Sequence, residues 1–130
     1  MTDKTHIPVS EVMTTTIARI SPLDTVANAI AQMREAKVSS LVVDRRDDHD
    51  EYGLLVVSDI ARSVIAENRA PERVNVYEVM SKPVISLPAS MDIRNAVRLL
   101  VRFGLSRALV VDDLRHPMGI VTLRDLVLRH

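Results

Sequence analysis

Glu11-Val12-Met13 returns 67 positions later as Glu78-Val79-Met80, and a self-similarity of that period is read before any local propensity because it decides the architecture. The elements after each copy keep one order. A short β-prone stretch comes first, Thr16 to Ile20 and Pro83 to Leu87, then a polar turn at Pro22 or Pro88, then a helix-period segment. Val26, Ile30 and Met33 stand at i, i+4 and i+7, as do Ile93, Val97 and Leu100, so each segment has one apolar face. Asp24 or Thr25 is placed to cap the first helix and Ser90 or Asp92 the second.

Further out, each helix gives way to a small-polar pair and a β-branched run: Ser39-Ser40 before Leu41-Val42-Val43-Asp44, and Ser106-Arg107 before Ala108-Leu109-Val110-Val111-Asp112. Continuous apolar runs suit strands covered on both faces. A polar loop leads to Gly53-Leu54-Leu55-Val56-Val57 and Gly119-Ile120-Val121-Thr122, now 66 apart. Asp59 and Asp125, also 66 apart, then open closing helices expected over 60–68 and 126–129. Each repeat therefore reads β-α-β-β-α, an α/β (α+β) chain with a first repeat and N-terminal segment over 1–68, a linker with Pro71 over 69–76, and a second repeat over 77–130. Units of that size are marginal alone, so the two are expected to form one compact module.

Composition narrows the function. Lys plus Arg and Asp plus Glu balance at 17 each and aromatics are 2% of the chain. Both the electrostatic footprint and the stacking platforms of a nucleic-acid binder are thus missing. With no cysteine there is no disulfide, thiol nucleophile or zinc-thiolate site. Residues 1–10 lack the apolar stretch of a signal peptide and no run reaches the ~20 residues of a membrane span. A cytoplasmic protein with neither nucleic acid nor membrane as partner is expected.

A Val-Met start, an Asp-led helix, a Val-Val-Asp strand and the close Gly119-Ile120-Val121-Thr122-Leu123-Arg124-Asp125 together resemble the CBS domain, which occurs in pairs; the likeness covers about residues 9–130. The resemblance implies two sheets meeting about a pseudo-twofold axis, two clefts between the repeats, and an adenine nucleotide as ligand. AMP, ADP or ATP come first and NAD or S-adenosylmethionine after them. No cofactor is required.

In the family pattern Asp125 and Asp59 accept from the vicinal ribose hydroxyls, a task suited to carboxylates. An Asp at a helix start could instead serve only as its cap. Thr122 would offer a phosphate a hydroxyl beside helix-start N–H groups, unless it is simply a β-branched strand residue. Arg107 has the fork that suits phosphate oxygens, though a solvated Arg is an equal reading. In the first copy Val56 stands where Thr122 stands in the second, leaving Ser58 as the nearest hydroxyl. The family's shared clefts imply that Asp125 and Thr122 face Thr16, Ile17, Ala18 and Ser39. Asp59 and Ser58 would then face Pro83, Val84 and Ile85, with Ser106 and Arg107 nearby.

The run Asp47-Asp48-His49-Asp50-Glu51 lacks the glycine-punctuated spacing of a calcium loop and reads as a solvated hairpin tip. The four histidines are scattered, and no nucleophile or paired acid and base is evident. The chain is therefore expected to be no enzyme but a regulatory adenine-nucleotide sensor, a homodimer acting in trans on an unknown partner protein. The alternative is a dimerisation or docking scaffold whose clefts are vestigial.

Overall fold

The computed structural model describes residues 5–82 and 85–129. The first repeat runs β1 (Arg19–Ile20), α1 (Val26–Ala36), β2 (Ser40–Val43), β3 (Gly53–Val56) and α2 (Val57–Ile60), which continues as a π-helical turn over Ala61–Ile65. The second runs β4 (Ser86–Pro88), α3 (Ile93–Arg102), β5 (Arg107–Val111), β6 (Pro117–Thr122) and α4 (Leu123–Arg129). Each forms a three-stranded sheet, β1-β2-β3 and β4-β5-β6. The first pair in each is parallel, joined by a helical crossover, and the second is an antiparallel hairpin. The β-α-β-β-α order is the expected one.

Helix starts follow local chemistry. The Thr25 hydroxyl accepts from Asn28 N–H at 3.1 Å and the Asp92 carboxylate from Arg94 N–H at 3.2 Å, which makes these two the caps. The buried stripes, Val26-Ala29-Met33 and Ile93-Ala96-Leu100, differ from the expected ones in their middle residue. Ala29 and Ala96 are small enough to let the helix axis approach the sheet. Ile30 and Val97 instead line grooves between helices, of about 320 Å³ (with Met33, Ile60 and Ile65) and about 440 Å³ (with Arg94, Arg98 and Leu126).

The compact units do not follow the sequence repeats. One holds the described residues up to Ile17 and from Ile85 onward, and the other those from Ala18 to Lys82. In the first unit Thr14 N–H donates to Ile120 O at 2.8 Å and Ile120 N–H donates back at 3.0 Å, so the opening segment of repeat one lies along β6 of repeat two. In the second unit Leu54 and Ser81 exchange the same pair of bonds at 3.1 and 2.9 Å, laying the opening segment of repeat two along β3 of repeat one. The segment therefore covers an edge that would otherwise present unpaired backbone groups.

Both exchanges pass over a glycine. A Cβ built on Gly119 would lie 2.7 Å from the Thr14 carbonyl oxygen and 2.7 Å from Met13 Sδ; one on Gly53 would lie 2.9 Å from Met80 Sδ and 3.3 Å from the Ser81 oxygen. Here the two methionines of the repeated triplet find their place. Residues 69–76, read as a linker, contribute two side chains to the core. Val74 and Val76 are buried with Val26, Met33, Leu41 and Leu55, and Val76 N–H donates to Asp24 O at 2.8 Å.

Two carboxylates fasten the exchanged segments. Asp92, 8% exposed, accepts from Ile7 N–H at 3.0 Å and from Arg94 Nε at 2.8 Å. The Arg94 guanidinium first, and the Ile7 N–H second, lower its pKa from 3.8 to about 2. Asp50 accepts from Lys82 Nζ at 2.5 Å and Arg46 N–H at 2.8 Å, and these hold its carboxyl well below the ordinary range. The tip at 47–51 is thus anchored at Asp50 rather than wholly solvated, because Lys82 reaches it.

Gly119→Ala is expected to destabilise by about 1–3 kcal/mol in urea denaturation, since the added Cβ meets backbone. Gly53→Ala is expected to cost less, since Met80 can swing aside. A carboxylate whose pKa is lowered on folding stabilises above its unfolded value and loses that contribution as pH falls through its folded value. The difference in urea midpoint between the wild type and Asp92→Asn is therefore expected to be full at neutral pH and to shrink between pH 3.8 and about 2.

Candidate functional site

α2 and α4 begin at Val57 and Leu123, directly after their strands, so Asp59 and Asp125 lie within the first turn instead of opening the helix as expected. In α4 the Thr122 Oγ1 accepts from Asp125 N–H at 3.1 Å and so caps the helix from the strand's last position. The Asp125 carboxylate is thereby released from capping. Among the described residues nothing donates a hydrogen bond to it, and it is half-exposed.

The β5–β6 hairpin builds the surroundings. Arg107 stands directly opposite Thr122 in the antiparallel register, and opposed residues share a face with Cβ atoms ~5 Å apart. Leu123 N–H donates to Ser106 O at 2.8 Å, which ties the helix start to the strand before it. Ser106 and Arg107, assigned by resemblance to the neighbourhood of Asp59, are thus immediate neighbours of Thr122 within their own unit. The hairpin and the first turn of α4 thus bring together Arg107, Thr122, whose hydroxyl hydrogen is still free to donate, and Asp125 with its uncommitted carboxylate. The first two suit phosphate oxygens and the third suits sugar hydroxyls.

The other unit repeats the scaffold with different chemistry. Ser40 opposes Val56, and Val57 N–H donates to Ser39 O at 3.0 Å. Val56 provides no side-chain cap, Ser58 is exposed, and Asp59 accepts from Arg62 Nη2 at 2.5 Å. Arg62 is no part of the sequence-based site, and its signal in the sequence is an Arg three residues after an Asp on one helix, against Leu128 at the matching place.

Of the residues expected near the base, Thr16 is exposed and Ile17 half-buried in the first unit. The carbonyls of Ala18 and Ile85 accept from Val42 N–H at 2.9 Å and Leu109 N–H at 3.3 Å, so both are already part of the sheets. Pro83 and Val84 lie outside the described residues.

The model of the CBS domain matches residues 9–66 and 76–129. The chain belongs to the CBS domain family. As a pair of CBS repeats it is 31% identical over 121 residues to an uncharacterized protein of Methanopyrus kandleri, covering 93% of this chain and 61% of that protein, so it spans less than two thirds of that relative. Among solved structures it is similar to the hexameric CBS-CP12 protein from bloom-forming cyanobacteria, with a TM-score of 0.91, 29% identity, and 95% of this chain and 68% of that one covered. It is also similar to the CBS domain of the bacterial CNNM/CorC family Mg²⁺ transporter in complex with ATP, with a TM-score of 0.76, 28% identity, and 92% and 84% covered. Among the described residues no helix of this CBS pair is long and apolar enough to cross a membrane.

Thr122→Val is expected to lower stability by about 1 kcal/mol through the lost cap, with Thr122→Ser near wild type, read as urea midpoints.

Proposed function

We propose that this CBS pair is a regulatory module that binds an adenine nucleotide through Asp125, Thr122 and Arg107. AMP, ADP or ATP are the leading ligands and NAD or S-adenosylmethionine the next. The observation that carries the reading is the uncommitted Asp125 carboxylate beside a capping Thr122 with Arg107 opposite. CBS domains are regulatory and commonly bind adenine nucleotides, and the similarity to a CBS domain in complex with ATP supports the same class here. No cofactor is required, because the module recognises its ligand without transforming it. It acts in the cytoplasm as a homodimer, in trans on a partner protein, and ligand binding works by shifting that partner-competent population.

The first repeat, with Val56 and an Asp59 already paired, favours the second reading for that half of the chain: a docking scaffold that keeps the fold and not the ligand.

A ligand that binds only the folded state raises the melting temperature. At least one of AMP, ADP, ATP, NAD or S-adenosylmethionine is expected to do so in a thermal-shift panel. Asp125→Ala is expected to weaken that ligand by about 1.5–3 kcal/mol, roughly ten- to a hundredfold, by calorimetry. No shift with any of the five overturns the sensor reading in favour of the scaffold.

A further inference from the structure

The two repeats differ most at their equivalent aspartates. The Asp59 side chain is 13% exposed, and the Arg62 guanidinium that covers it is 71% exposed, so the arginine lies on the solvent side of the carboxylate. Three residues after Asp125 stands Leu128, which has no donor and is itself exposed, and the Asp125 carboxylate is left open. The difference extends to the backbone. Arg62 belongs to the π-helical turn Ala61–Ile65, where Ala66 N–H reaches back five residues to Ala61 O at 2.8 Å, whereas α4 runs as an α-helix from Leu123 to Arg129.

We propose that Arg62 is an internal occupant of the first repeat's carboxylate, closing it to sugar hydroxyls, so that the chain takes one adenine nucleotide, at Asp125, and not two. The inference rests on the reading that these aspartates receive a ribose. A guanidinium is the stronger competitor for such a carboxylate. Its hydrogen bond is charge-assisted, roughly twice as strong as a neutral one, and the Asp59 carboxylate it engages is itself largely withdrawn from solvent. A neutral diol would have to displace a bound cation and accept a site with Val56 in place of the threonine hydroxyl. The effective concentration of Arg62 is that of a residue held three positions away on one helix face. Arg62 is thus a specificity-determining residue that works by pairing with Asp59 and not by touching the ligand.

Three side chains separate the closed position from the open one, Arg62 for Leu128, Val56 for Thr122 and Ser40 for Arg107; the first two bear on the carboxylate and its neighbouring hydroxyl, so the closure is reversed by Arg62→Leu with Val56→Thr. Calorimetric titration of the full chain with AMP and with ATP is expected to give one nucleotide per chain for the wild type and two for R62L/V56T. The added event is expected to be lost on introducing Asp59→Ala and retained on introducing Asp125→Ala. Two nucleotides per wild-type chain, or no added event in R62L/V56T, overturns the closure while leaving the proposed function standing. No uptake by the wild type overturns the proposed function instead. A readout without nucleotide covers a double variant that fails to fold: the denaturation midpoint shifts of Asp59→Asn and Arg62→Leu are expected to fall short of adding in the combined variant. Simple addition overturns the closure.

Discussion

The structure depends on a pair of backbone hydrogen bonds made twice, between Thr14 and Ile120 and between Leu54 and Ser81. Each ties the segment that opens one repeat to the last strand of the other, so each unit is completed by residues distant in the chain. The close approach these bonds need is available because Gly119 and Gly53 carry no Cβ where the crossing segment lies. Two of the chain's three glycines serve this contact. The carboxylates of Asp92 and Asp50, each held by a cation and a backbone N–H, secure the segments on either side.

The site is built on these contacts in short steps. A strand whose end is fixed by its neighbours delivers Thr122 to the first turn of α4, and the hydroxyl there satisfies Asp125 N–H. An aspartate at a helix start is ordinarily engaged by the helix itself. Here the preceding strand has already met that need, and the carboxylate remains available. In the first repeat the same backbone carries Val56 and Arg62, and the carboxylate is engaged by a side chain instead. One scaffold thus holds two electrostatic environments, set by side chains at three positions, Val56, Arg62 and Ser40 against Thr122, Leu128 and Arg107.

Much of this was legible before any coordinates. The triplets at 11 and 78, the glycines at 53 and 119 and the aspartates at 59 and 125 established the repeat, its β-α-β-β-α order and the pair of positions worth comparing. The Val56 departure was also visible. Less legible was the helix face, because Ala29 and Ala96 score weakly as apolar residues yet are the ones a sheet admits at close range. Residues 69–76 read as a linker because charge and proline dominate the window, and burial of Val74 and Val76 is a property of their neighbours, not of the window.

The sequence by itself determined the repeat architecture, the membership of the CBS family and the identity of the candidate carboxylates, since periodicity and motif order are written along the chain. Only the tertiary structure decided which segment completes which sheet, which residue caps α4, and which of the two aspartates stays uncommitted. Those are outcomes of competition among hydrogen-bond donors brought within about 3 Å of one another. Donors such as Arg62, and acceptors such as the Thr122 hydroxyl, reveal their partners only once the backbone has set them side by side.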